Sequence, residues 1–152
     1  MYPLSILALG RLRLDPCQEL SQHYLDMLRP FARLEVTELS EGRGEPARAL
    51  KDEAARIRAR LQGVACPVLL TPEGRLRDSE TLARWLGARM DRGEGLAFVI
   101  GSSHGFDPTL KAEVREQISL SPLTFPHELS RVLLLEQLYR AFTILRGKAY
   151  HK

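Results

Sequence analysis

Ala97-Phe98-Val99-Ile100-Gly101-Ser102-Ser103-His104-Gly105 is the stretch that decides the fold. Four apolar residues in succession leave neither side of the chain suited to water. That is the pattern of a strand at the centre of a parallel sheet covered on both faces. The turn that follows is bounded by two glycines. Asp107-Pro108 then reads as an N-cap with proline at the first helical position. Strand, tight turn and helix follow one another within a dozen residues, and the rest of the chain repeats that order.

Upstream, Leu4 to Leu9 is an apolar run ending at Gly10. Cys17, Leu20, Tyr24, Met27, Leu28 and Phe31 recur at helical spacing, with Pro30 marking the close. Leu34 to Leu39 alternates, as a strand with one wet face nearer a sheet edge does. Glu41-Gly42-Arg43-Gly44-Glu45 has no apolar residue and predicts an exposed, mobile loop. Ala47, Leu50, Ala54, Ile57 and Leu61 form an amphipathic stripe, with Arg48, Lys51, Asp52, Arg56, Arg58 and Arg60 on the other side. Cys66 to Leu70 predicts a third strand, broken by Thr71-Pro72-Glu73-Gly74. Leu82, Trp85, Leu86 and Met90 predict a further helix, with Trp85 in the core.

Downstream, a helix over Thr109–Gln117 leads to a short strand at Ile118–Ser121. Ser121 to Pro126 is stiffened by Pro122 and Pro126, so its backbone groups must bond something other than a ladder. A last helix from about Glu128 carries apolar residues almost all round and calls for a subunit interface. Alternating strands and helices imply an α/β sandwich with a mainly parallel sheet, one domain over residues 1–152. Ligands in such sheets sit beyond the carboxyl ends of the strands, here the loops after Leu70, Ile100 and Leu120.

The 152 residues carry 22 Lys+Arg against 19 Asp+Glu, with 44% hydrophobic and 27% charged residues, a balance that excludes a disordered chain. No apolar run approaches the ~20 residues of a membrane span. Met1 to Asp15 lacks the basic start and cleavage site of a signal peptide, so Cys17 and Cys66 are expected as reduced, buried thiols of a cytosolic protein. Their separation offers no zinc pattern, and no metal is expected. Residues before Glu128 carry 17 basic and 17 acidic side chains, so the whole formal excess of +3 falls in the last segment.

The residues alone identify no reaction. Gly101–Gly105 is neither a dinucleotide fingerprint nor a P-loop. No Ser-His-Asp or Cys-His spacing and no carboxylate pair stands out. Glu136 is expected to pair with Arg140 one turn on. The Ser121–Pro126 loop suits the edge of an adenine ring, and equally a plain connection.

Three segments nevertheless resemble a known family: Ile100 to Gly105, Ser119-Leu120-Ser121-Pro122-Leu123-Thr124-Phe125-Pro126-His127, and Arg131 to Ala141 with the closing Tyr150-His151-Lys152. They look like the RlmH family of ribosomal RNA large-subunit methyltransferases, in the SPOUT superfamily. The resemblance runs the full length. It implies a homodimer with a deep C-terminal trefoil knot, one of the rare exceptions to unknotted chains. It further implies S-adenosylmethionine as methyl donor and N3 of a pseudouridine in 23S rRNA, met within the ribosome, as acceptor. Carried over by position, the cofactor-binding residues are Leu70, Gly101, Ser102, Gly105, Ser121, Pro122, Leu123, Thr124, Phe125 and Pro126. Tyr150, His151 and Arg131 are the catalytic candidates. Ser102 stands where the family commonly has a second glycine, tolerable unless a positive φ is needed there. His104 is a second departure, and Lys152 replaces a common arginine, keeping the charge without the fork. The alternative reading is a catalytically silent RNA- or ribosome-binding protein on the same scaffold.

Overall fold

The computed structural model describes residues 1–152. Its elements are β1 (Tyr2–Leu9), α1 (Asp15–Leu28), β2 (Ala32–Leu39), α2 (Pro46–Leu61), β3 (Cys66–Leu76), α3 (Ser79–Asp91), β4 (Leu96–Ile100), α4 (Pro108–Glu113), β5 (Glu116–Ser119) and α5 (His127–Leu145). The five strands form one sheet in the order β2-β1-β4-β3-β5, parallel at every pairing. β2 lies at an edge, as its alternation requires, and all five residues of β4 are buried at the centre.

Two apolar clusters sandwich the sheet. Leu4, Ile6, Val68, Phe98 and Ile118 meet Leu28 of α1, Leu86 of α3 and Leu135, Leu138 and Phe142 of α5. Leu7, Leu9, Leu69 and Val99 meet Ile57 of α2 and Leu110 of α4 on the other side. Successive side chains of a strand point to opposite faces, so Phe98 and Val99 serve different clusters. Chain direction and helix placement alternate together. The connections through α1 and α3 step one way along the sheet over one face, and those through α2 and α4 step back over the other, which keeps the handedness uniform. No helix is long and apolar enough to cross a membrane.

Four expectations need correction. First, β3 does not stop at Leu70. Leu70 and Arg75 both register with Ile118, so Thr71 to Gly74 loop out as a bulge and the strand resumes. Pro72 fits there because a bulged residue needs no ladder N–H. Second, α4 ends at Glu113, where Val114 turns extended and buries. The Gln117 side chain donates to the Lys111 and Val114 carbonyls at 2.7 and 3.0 Å, closing the helix end and leaving Glu116 and Gln117 to β5.

Third, α5 finds much of its burial within one chain, with Leu129 and Leu145 left exposed. It lies between α1 and α3, with Leu135 and Phe142 fully covered. Its all-round apolarity therefore reflects three neighbours and does not by itself require a subunit interface. Fourth, the buried stripe of α2 is Ala49, Glu53, Ala54 and Ile57, while Ala47 is exposed; Leu20 of α1 is likewise exposed. Trp85 is only partly buried, against Phe98 and under the guanidinium groups of Arg77 and Arg89. Cys17 and Cys66 are buried free thiols, and burial pushes the Cys66 thiol up.

Candidate functional site

β3 and β4 are neighbours whose connections leave toward opposite faces, to α3 and α4 respectively. Chain departing to both sides opens a crevice at the carboxyl end of a parallel sheet. There the structure has a cleft of about 520 Å³. Its walls are the end of β3 with the bulge, the Gly101–Phe106 turn, the Leu120–Pro126 loop, and His127 and Ser130 in the first turn of α5.

Each wall is held by identifiable contacts. The buried Thr71 hydroxyl donates to the Glu73 carboxylate, which also faces Lys111 at 3.5 Å. The hydroxyl bond first, then the residue's own backbone N–H, and after them the cation hold the Glu73 carboxyl below its usual range. In the glycine turn, the Gly105 N–H donates to the Ser102 carbonyl at 2.9 Å with Gly105 at φ +82°. That conformation suits glycine. Gly101 is small for a different reason, since a Cβ there would fall 2.8 Å from the Gly105 carbonyl oxygen. Ser102 has no positive φ, so serine is unstrained. Its hydroxyl turns inward and donates to Glu53 at 2.7 Å.

In the proline-bracketed loop, the Ser119 hydroxyl donates to the Ser121 carbonyl at 2.9 Å and the Ser121 hydroxyl accepts the Leu123 N–H at 3.0 Å. The Thr124 and Phe125 amides bond no protein atom. α5 starts at Pro126 without a side-chain cap, so the positive end of its dipole opens at the cleft.

Nine of the ten residues expected to bind a cofactor line this cleft: Leu70, Gly101, Ser102, Gly105, Ser121, Leu123, Thr124, Phe125 and Pro126. Pro122 stands outside, on the exposed turn of its loop. The three catalytic candidates are not gathered there. Arg131 is buried and donates to Glu38 at 2.8 Å and to the Gly10 carbonyl at 3.1 Å, tying α5 to the ends of β1 and β2.

The tail docks further along α5. The Tyr150 hydroxyl donates to Glu136 at 3.1 Å, and its ring lies edge-on to Tyr139 and beneath Arg140. His151 contacts Arg140 at 3.2 Å and Glu80 at 3.7 Å. Glu136 is six residues past Ser130, which places it about 9 Å along the axis and roughly 120° round the helix. Tyr150 therefore faces away from its own chain's cleft. Burial, then the charge of Glu136, pushes the Tyr150 phenol up to about 12, so it is a neutral donor near pH 7. The expected pair forms, with Arg140 bonding Glu136 at 2.5 Å.

Two features escaped the sequence reading. Glu53 lies on the buried face of α2, at i+4 from Ala49 and i−4 from Ile57, and a carboxylate inside an apolar stripe is a legible signal. Glu128 accepts the Arg13 and Leu14 amides at 2.6 and 3.0 Å, which holds its carboxyl below the usual range. A local sequence window carries no sign of that long-range contact.

Comparison with known proteins covers nearly the whole chain. A model of the family described as "Predicted SPOUT methyltransferase" matches residues 3–151. A protein named ribosomal RNA large subunit methyltransferase H from Gemmatimonas aurantiaca is 38% identical over 152 residues, covering 98% of this chain and 99% of that protein. One of the same name from Rhizobium meliloti is 39% identical over 157 residues, covering 98% of each. The crystal structure of a methylase family protein from Neisseria gonorrhoeae superimposes with a TM-score of 0.54 over 91% of this chain and 82% of that one. At 13% identity, it speaks to fold alone.

Proposed function

This chain belongs to the SPOUT methyltransferases, in the family of ribosomal RNA large subunit methyltransferase H, and on that premise we propose that it transfers a methyl group from S-adenosylmethionine to large-subunit rRNA. The acceptor is N3 of a pseudouridine in 23S rRNA. The observation that carries this reading is the cleft itself, where nine residues carried over one by one come together between β3, β4 and the Leu120–Pro126 loop.

The residues fit the donor. Leu70, Ile100 and Phe106 offer apolar surface for a purine and for the methylene groups of the donor. The unbonded Thr124 and Phe125 amides suit the polar edge of adenine, and the uncapped first turn of α5 suits a carboxylate. Bound there, the donor supplies a methyl group already activated by its positive sulfur. What remains for the protein is alignment and exclusion of water. The stiff Pro122–Pro126 loop and the bulge braced by Thr71 and Glu73 are suited to hold one geometry. The acceptor must lose its imide proton, and an unpaired loop base offers that edge at least unstacking cost.

Tyr150 and His151 turn away from their own cleft, so their role requires a homodimer in which the tail of one copy serves the site of the other. Arg131 acts as a brace that keeps the first turn of α5 in place. The reading includes a single domain over residues 1–152, a C-terminal trefoil knot and a cytoplasmic location with the ribosome as partner. Against the silent-binder alternative stands Ser102, whose hydroxyl is directed into the protein and does not obstruct the cleft.

Calorimetry with S-adenosylmethionine and transfer of labelled methyl to large-subunit RNA, free and in assembled subunits, test the proposal. Binding and transfer are expected. A folded protein that binds RNA without binding the donor would establish the alternative.

A further inference from the structure

We propose that Glu53 is a positioning residue that ties the glycine turn of the donor cleft to the arginine-bearing loop beside it, so that order in one supports order in the other. The inference rests on the methyltransferase reading and adds a residue to it.

Glu53 is 3% exposed, and no cation lies within ion-pair distance of it. A buried carboxylate without a cation is held only by the hydrogen bonds it accepts. Here there are two, one on each oxygen. The Ser102 hydroxyl donates to Oε1 at 2.7 Å and the Gly42 N–H to Oε2 at 2.8 Å. The donors come from different clefts. Ser102 lines the donor cleft and anchors the turn closed by Gly105. Gly42 belongs to the Ser40–Glu45 connection, which walls a second cleft of about 810 Å³ with Arg11, Arg13, Arg43 and Arg56.

That loop lies flat on α2 at this point. A Cβ on Gly42 would fall 2.2 Å from the Ala49 carbonyl oxygen, one turn before Glu53. The helix thus grips the loop by close approach and by the carboxylate together. Arg11, Arg13 and Arg43 form no ion pair and are exposed, and guanidinium groups so placed suit RNA phosphates. Glu53 serves both loops at once. Losing the Ser102 hydroxyl leaves Oε1 without a donor in the interior. Glu53 must then shift toward water, and the Gly42 bond shifts with it. By linkage, anything that steadies the turn at Ser102 also steadies the loop carrying Arg43, and the reverse.

Ser102→Gly is the clean perturbation, because it removes the hydroxyl at an unstrained backbone position and leaves the turn itself possible. Hydrogen exchange of the unliganded full-length protein should show the Gly42 amide exchanging about tenfold faster in S102G, the scale of one hydrogen bond to a charged group. Ser102→Thr should restore it. Glu53→Gln should stay near wild type, since its oxygen can accept from Gly42 while its amide donates to Ser102. In transfer assays S102G should raise KM for RNA several-fold more than it lowers kcat, with S102T again restoring the value. Unchanged Gly42 exchange in S102G, or a loss confined to kcat, overturns the proposal. If exchange is coupled as expected but the wild-type protein neither binds S-adenosylmethionine nor transfers methyl, the link stands and the functional reading fails instead.

Discussion

Gly74→Ala should open the donor cleft from a distance. Gly74 ends the bulge in β3, where the chain returns to pair with β5. A Cβ built there lies 2.6 Å from the carbonyl carbon of Ile118 and 2.7 Å from two further backbone atoms of Gln117 and Ile118. Backbone cannot swing aside as a flexible side chain can. The strands must part until the closest approach grows from 2.6 to about 3.4 Å, or the bulge must move. Overpacking of this kind costs about 1–3 kcal/mol. Alanine also restricts the unfolded chain, which returns about 0.4–1 kcal/mol where the native backbone is permissive. The net loss is roughly 1–2 kcal/mol, a fall in Tm of about 2–8 °C for a chain of this size.

Gly95 is the internal control, having no positive φ and nothing within 4 Å of an added Cβ, so Gly95→Ala should be neutral or slightly stabilising. Thermal unfolding of the three proteins reads the stability, and calorimetry with S-adenosylmethionine reads the cleft, because Leu70, Thr71 and Pro72 form one of its walls. Equal melting of G74A and G95A would refute the steric argument. A destabilised G74A with unaltered donor affinity would refute the claim that the bulge shapes the site.

Arg131→Ala should lower stability by about 1–3 kcal/mol, since the contacts to Glu38 and the Gly10 carbonyl are both lost, and Arg131→Lys should recover only part because one ammonium cannot fork to both; denaturant titration distinguishes them. Burial is the main cause that pushes both Tyr2 and Tyr150 up to about 12. Unfolded phenols ionise near 10, so between about pH 10 and 12 the unfolded state holds fewer protons and stability falls as pH rises; a unfolding midpoint constant across that window would contradict this, and Tyr150→Phe should flatten part of the fall. Mixed dimers test the tail: a subunit lacking residues 150–152 paired with one whose cleft is blocked by Gly101→Leu should retain one working site if tails act across the dimer in the orientation proposed, and none if each tail serves its own chain.

How far the sequence announces this molecule depends on the range of the cause. β4 was legible because its burial on both faces is written into Ala97 to Ile100 themselves, and α4's start because Asp107 and Pro108 are adjacent. The Asp107 carboxylate does accept the Thr109 and Leu110 amides. The continuation of β3 was not legible, because Pro72 locally argues for a break and the strand resumes only by pairing with Ile118, over forty residues away. The surroundings of α5 were not legible for a similar cause. Periodicity shows that a face is apolar but not how many neighbours share it, and α1 and α3 cover much of it while Leu129 and Leu145 stay exposed. The ten residues expected to bind a cofactor came from resemblance, and the convergence of nine of them depends on the topology that sets β3 beside β4. Glu53 is the instructive omission, since its place on the apolar stripe of α2 was visible and only the partners were not.

The charge distribution shows why counting by segment misleads. All of the formal excess of +3 lies after His127, which by sequence alone points to a basic C-terminal end. In the folded chain that segment presents its excess only at the end: Arg131 is buried on Glu38 and Arg140 is engaged by Glu136, while Arg146, Lys148 and Lys152 stay exposed. The evenly balanced first part is not evenly balanced at its surface, because several of its carboxylates are engaged. Its Glu53 is interior, its Glu45 is turned onto the first amides of α2, and its Glu38 is taken by Arg131 from the far end of the sequence. Arg11, Arg13 and Arg43 form no ion pair and stand in the loops that follow β1 and β2, at the carboxyl end of the sheet. On the proposed reading a polyanion meets basic groups both here and at the tail. Three phosphate contacts give a salt dependence of only about −2 to −3 in log K against log salt. Selectivity on the proposed reading must therefore come chiefly from the shape of a folded RNA and from the second copy of the chain, and the arginines fix where that RNA lies.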